Sequence, residues 1–96
     1  MIKSMAMIKR KPGLSREEFI RHYEEFHAPL GMKHFKFARY VRNYVIPLPG
    51  AEEPPFDVIV EFWFEDEAHF ARMMEFNASP AAQIFREDEA RFMLGG

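Results

Sequence analysis

Nine consecutive residues constrain this chain more than any others. Phe56-Asp57-Val58-Ile59-Val60-Glu61-Phe62-Trp63-Phe64 is a run of β-branched and aromatic side chains that reads as a strand. Alternation places Phe56, Val58, Val60, Phe62 and Phe64 on one face, and Asp57, Ile59, Glu61 and Trp63 on the other. A strand largely apolar on both faces has to be shielded from water on both sides. The 96 residues form one domain, spanning 1–96, whose own core is marginal in size. An apolar fraction of 48% with 11 Phe exceeds what one small core readily hides. Burial against a second copy resolves the conflict, so a homodimer through the sheet face is expected.

The remaining elements arrange themselves around that strand. Residues 2–9 alternate loosely as a first strand, and Pro12-Gly13 marks a turn. Ser15 as N-cap and Glu18 three residues on form a capping box, with Leu14 and Phe19 placed for a hydrophobic staple. Phe19, Tyr23, Phe26, His27 and Leu30 recur at helical spacing as the apolar stripe. Pro29 disfavours helical angles at Ala28, so the helix is expected to kink or restart there and run to about residue 35. Residues 38–46 read as a second strand, with Tyr40 and Tyr44 on one face and Val41 and Val45 on the other. Pro47, Pro49-Gly50 and Pro54-Pro55 enclose a surface loop.

After the central strand, Glu65-Asp66-Glu67 suits the positive end of a second helix with Phe70, Met73 and Met74 as its stripe. Ser79-Pro80 starts a short third helix carrying Ile84 and Phe85, and residues 90–94 offer a brief last strand. The order is βαββαβ. It predicts an α+β, ferredoxin-like domain whose four-stranded antiparallel sheet carries helices on one face.

Several function classes drop out. No Cys is present, which removes disulfides, thiolate nucleophiles and Cys-ligated metals. No apolar run is long enough to span a bilayer. The charges at Lys9-Arg10-Lys11 follow the first apolar stretch, whereas a secretory signal needs them before it. Cytoplasmic residence without a membrane partner is the expectation. Residues 1–50 hold ten Lys/Arg against four acids, and residues 51–96 hold three against eleven. Such a split suits either a nucleic-acid-facing arm or a fold that interleaves the halves, and the scatter of the basic residues favours interleaving. RNA-recognition domains share the βαββαβ order, but Asp57 and Glu61 on the central strand would repel phosphate, so no nucleic-acid partner is expected. No Gly-rich phosphate loop or His-Glu-x-x-His pattern occurs, and His22 and His27 lie off a common helical face. Neither a nucleotide cofactor nor a metal is expected.

Candidates for chemistry remain. His27 falls on the apolar stripe four residues after Tyr23, so its imidazole should point inward. Such a ring can donate and accept, and the residue type titrates near neutral pH, which suits a general acid/base. A plain buried His capping the break at Pro29 fits the same position. Glu61 is an acid in an apolar strand, costly to bury unpaired. It can orient His27, act as a base itself, or pair with Arg39, Arg42 or another basic side chain. Trp63 shares its face and can stack on a flat substrate or pack in a core. Tyr23, Tyr40, Tyr44 and Asn43 can supply orienting hydrogen bonds. The Met5/Met7 and Met73/Met74 pairs suit core filling or a deformable pocket wall.

The chain resembles the EthD-like family along nearly its whole length. Lys9-Arg10-Lys11-Pro12-Gly13-Leu14-Ser15-Arg16-Glu17-Glu18-Phe19 is similar to that family's strand–turn–helix opening, and His27-Ala28-Pro29-Leu30 to its His-Ala-Pro signature. Tyr40-Val41-Arg42-Asn43, residues 57–64, Ser79-Pro80 and Asp88-Glu89-Ala90-Arg91-Phe92 fit its later sections, although the end after Phe92 is short. The resemblance implies a dimeric α+β barrel with a small-molecule pocket between sheet and helices in each protomer. Muconolactone isomerases, cofactor-independent monooxygenases, polyketide-tailoring enzymes and haem-dependent enzymes share that architecture, and fold alone does not choose among them. Nothing beyond His27 marks a haem pocket, and no cofactor is expected.

The resulting expectation is a cofactor-independent isomerase-, cyclase- or monooxygenase-like enzyme for a small apolar or aromatic metabolite of a degradative or polyketide-type pathway. His27 and Glu61 would be catalytic, with Tyr23, Trp63, Tyr44 and Asn43 holding substrate. The alternative is a non-catalytic ligand-binding or regulatory dimer using the same pocket.

Overall fold

The structure, a computed structural model, describes residues 1–95. Three antiparallel strands, β1 (Ile2–Ile8), β2 (Arg39–Tyr44) and β3 (Val58–Phe64), form a sheet in the order β1-β3-β2. The strand with two apolar faces is central, paired along its whole length. Ser4 and Tyr40 flank Phe62, and Ile8 and Tyr44 flank Val58. Helices cover the face of Val58, Val60, Phe62 and Phe64.

The first helical stretch begins as its sequence dictates. The Ser15 side chain accepts from the Glu18 N–H and the Glu18 carboxylate accepts from the Ser15 N–H, both at 3.1 Å. From there α1 (Arg16–His22) passes through one π-helical turn (Tyr23–His27) into α2 (Ala28–Phe35). Ala28 keeps helical angles of φ −64° and ψ −44°, against expectation. The expected restart is present, with α2 beginning at Ala28, carrying Pro29 in its first turn and ending at Phe35. The Ala28 N–H donates to the Tyr23 carbonyl, five residues back. The widened turn makes room for the Pro29 ring, and Pro29 has no N–H to lose. Phe19, Tyr23 and His27 all end up buried, whereas Phe26 is 60% exposed and leaves the expected stripe.

In the second half, α3 (Glu67–Asn77) is capped by Asp66, which accepts from the His69 N–H at 2.8 Å. The buried residue of α3 is His69, while Met74 faces outward. A 3-10 turn (Pro80–Ala82) leads into α4 (Gln83–Phe92). Phe85, Asp88 and Phe92 of α4 point inward, and Ile84 does not.

The brief last strand expected over 90–94 is a correction. Residues 90–92 remain helical, and the Met93 N–H still donates to the Glu89 carbonyl at 2.8 Å. Only Met93 bridges to Arg10, with hydrogen bonds from Lys11 to the Phe92 carbonyl and from Leu94 to the Lys9 carbonyl. The sheet is therefore three-stranded, with one bridge where a fourth strand would lie. Helix wins because its spacing buries Phe85 and Phe92 together, and Phe92 joins Phe19, Tyr23, Ala28, Val58 and Val60 in the core. No helix among the described residues is long and apolar enough to cross a membrane.

The two charge-biased halves interleave. Buried Asp57 accepts from the Arg10 N–H at 2.8 Å and the Arg10 guanidinium at 2.9 Å, and exposed Glu53 pairs with Lys9, Arg10 and Arg16.

Candidate functional site

His27 enters the interior from the π-helical turn and is 6% exposed. The rings of Tyr23, Phe85 and Phe92 surround it, with centroids 5.2, 6.0 and 5.1 Å away. Its Nδ1 lies 2.9 Å from Oδ2 of Asp88 on α4. The other Asp88 oxygen is 2.9 Å from His22 Nε2 and 3.4 Å from the Arg91 guanidinium. Burial pushes the Asp88 carboxyl up, but the hydrogen bonds from His27 and His22 outweigh it and hold the group below the usual carboxylate range. A carboxylate acceptor fixes the proton of a neutral His27 on Nδ1 and leaves Nε2 with a free lone pair.

Two adjoining hollows meet at this imidazole. The inner one, about 160 Å³, lies between sheet and helices and is lined by His27, Phe35, Phe37, Tyr40, Phe62 and Glu89 among others. That volume matches a cavity able to take a benzene ring. The second, about 340 Å³ and more open, shares His27, Phe62 and Glu89 and adds Tyr23, Ile8 and Met93. Flat aromatic walls around a few polar groups suit a small apolar ligand.

The tyrosines brace one flank. Tyr23 and Tyr40 hydroxyls are 3.0 Å apart, and burial raises both, Tyr40 to about 12. Both hydroxyls therefore stay protonated. The Tyr44 hydroxyl instead donates to Glu24, which also takes a two-point contact from Arg42 at 2.6 and 2.9 Å. Tyr44 packs against Phe19 and Tyr23 but lines neither hollow.

Glu61, Trp63 and Asn43 lie elsewhere. The register of β3 puts them on the face opposite Phe62, away from His27. Glu61 does not orient the imidazole. It accepts from Asn43 at 2.9 Å and lies 3.8 Å from Lys3, and those contacts hold its carboxyl low. The ion pair expected with a basic side chain is made by Lys3, with Arg39 acting only as a more distant charge, while Arg42 meets Glu24 on the helix-covered face. Trp63 lies under Lys3 and Arg39, whose cationic heads are 4.9 and 5.9 Å from its ring.

Sequence reasoning missed Asp88 and Glu89. Asp88 follows Phe85 by three residues and precedes Phe92 by four, so an acid interrupts an apolar helical stripe. That signal is visible only once α4 is read as continuing through Phe92. Among the described residues no group of three His, Asp or Glu side chains could hold a metal ion.

The family model described as EthD domain matches residues 11–95. No curated protein matches the chain.

Proposed function

The chain belongs to the EthD domain family, and on that premise we propose that it is a cofactor-independent enzyme moving protons on a small apolar or aromatic metabolite, with His27 as general acid/base. One observation carries the reading. An imidazole held at Nδ1 by a buried carboxylate borders an aromatic hollow with its other nitrogen left without a protein partner. Orientation by Asp88 fixes the tautomer, and the rings of Tyr23, Phe85 and Phe92 packed around the imidazole hold it in place beside a bound ligand. Tyr23 and Tyr40 are the substrate-orienting groups this reading keeps, while Trp63, Asn43 and Glu61 belong to the other face.

That other face supports the second part of the proposal, a homodimer. Met5 and Met7 are 57% and 68% exposed on β1, next to Ile59 and Trp63 of β3, with Val41 on β2 beyond Glu61. An apolar strip of that kind on a sheet without helices is suited to a second copy of itself. Light scattering of the wild type should give twice the chain mass, and Met7→Lys should give a monomer. A wild-type monomer would remove the dimer from the proposal.

The catalytic reading is tested with nitrobenzisoxazole, an uncharged bicyclic whose ring opens when a base in an apolar pocket takes one proton. The wild type should accelerate opening over buffer, and His27→Ala should lose that acceleration while staying folded. Equal rates in the two proteins would take His27 out of the mechanism. Tight binding of aromatic ligands that are never transformed, unaffected by the substitution, would point to a ligand-holding module.

A further inference from the structure

Glu89 has no part in the mechanism above, yet it stands at the junction of both hollows. It follows Asp88 on α4, so its side chain leaves the helix about 100° away and faces the sheet side, where Asp88 faces the π-helical turn. Both hollows are lined by Glu89 together with His27 and Phe62. Asp88, by contrast, has each oxygen satisfied by an imidazole. Among the described residues nothing donates a hydrogen bond to the Glu89 carboxyl. Glu89 is half-buried, and a carboxyl group beside aromatic walls with no protein donor is free to meet a ligand.

We propose that Glu89 is the proton donor that works opposite His27, and that the hollow accepts an uncharged aromatic or alicyclic ketone. The assignment rests on the reading of His27 as a base at a ligand site. Burial raises the Glu89 carboxyl from its ordinary value, against the pull of His27 and Arg86, which is the direction a proton donor needs. The inner hollow is lined by no Lys or Arg among the described residues. Lys9, at the outer one, is engaged by Glu53 and Asp57. An anionic ligand would therefore find no Lys or Arg lining the inner hollow, whereas a neutral carbonyl oxygen needs only a hydrogen-bond donor.

The step balances without an oxidant. His27 Nε2 takes a proton from the carbon beside the carbonyl, and that C–H pair becomes the new C=C bond. The carbonyl π pair moves to oxygen, which takes the Glu89 proton. Ketone becomes enol, His27 gains one proton and Glu89 loses one. Reversal from solvent-equilibrated groups places a solvent hydrogen on carbon.

The probe is β-tetralone in heavy water, with loss of its α-proton signals followed by proton NMR. The wild type and Glu87→Gln, an exposed neighbour on the same helix, should exchange those protons at one accelerated rate. His27→Ala should return the rate to that of buffer, and Glu89→Gln and Glu89→Ala should slow it about tenfold or more. Glu89→Gln should melt at or above the wild-type temperature, because no carboxyl group is left to desolvate. Exchange at the wild-type rate in His27→Ala would sink the underlying site. Loss in His27→Ala with full rate in both Glu89 variants would overturn the role of Glu89 alone. A wild type no faster than buffer would overturn the ketone assignment. A lowered melt in Glu89→Gln together with lost exchange would make Glu89 scaffold and end the proposal.

Discussion

Two histidines are buried to nearly the same extent, His27 at 6% and His69 at 8% exposure, and they do opposite things. His69 is used up. Its Nδ1 accepts from the Glu65 N–H at 3.1 Å, its Nε2 donates to the Phe35 carbonyl at 2.7 Å, and its ring sits edge-on to Phe64. It pins the start of α3 to the end of α2 with every valency met by backbone. His27 spends one nitrogen on a carboxylate and keeps the other beside an aromatic hollow. Burial alone therefore says nothing about function in a domain this small. The informative feature is a polar valency left open beside an aromatic hollow.

Substitutions can break or sharpen that contrast. The largest effect should be His27→Ala on turnover, a loss of about 10²–10⁴-fold with the fold retained, measured on the base-only probe. His69→Ala should show the reverse pattern. It leaves two backbone groups and a ring contact unmet, so denaturant melts should report a loss of about 2–4 kcal/mol while the folded fraction keeps full activity. If His69→Ala cost activity and His27→Ala cost only stability, the contrast would be inverted.

Asp88→Asn comes next, at about 1.5–3 kcal/mol for weakened charge-assisted hydrogen bonds. Against the upward push of burial, the His27 and His22 rings depress the folded Asp88 pKa, so its stabilisation is present above the unfolded value near ~3.9. That contribution fades as pH falls through the lower folded value. Acid melts of Asp88→Asn should lack this component, and a wild-type acid limb unchanged by the substitution would contradict the geometry. The smallest effect belongs to Glu61→Gln on the opposite face, where the Asn43 contact can persist. Turnover on the same probe should be unchanged, and any large loss would reconnect the two faces.

Local chemistry was legible in advance, and long-range pairing was not. The capping box at Ser15 and Glu18 is contained in four residues, and the Phe19–Tyr23–His27 repeat depends only on helical pitch. Alternation grouped Glu61 with Trp63 correctly, but it carries no information about which face of β3 the helices cover, and that choice decides whether Glu61 can reach His27. The partnership of His27 with Asp88 spans 61 positions, and no spacing rule operates at that range. The π-helical turn escaped notice because proline rules describe the strain at Ala28 without saying how a helix relieves it. The missing fourth strand has a similar origin. Residues 90–94 suit either state locally, and the inward packing of Phe85 and Phe92 settles the matter.

Nitrogen NMR of the imidazole rings during addition of β-naphthol bears most directly on the account. In the neutral forms, His27 should carry its proton on Nδ1 and His69 on Nε2, and the ligand should shift the bare Nε2 of His27 while leaving His69 unmoved. A His27 proton on Nε2, or a ring indifferent to saturating ligand, would contradict the claim that this imidazole is held open for chemistry.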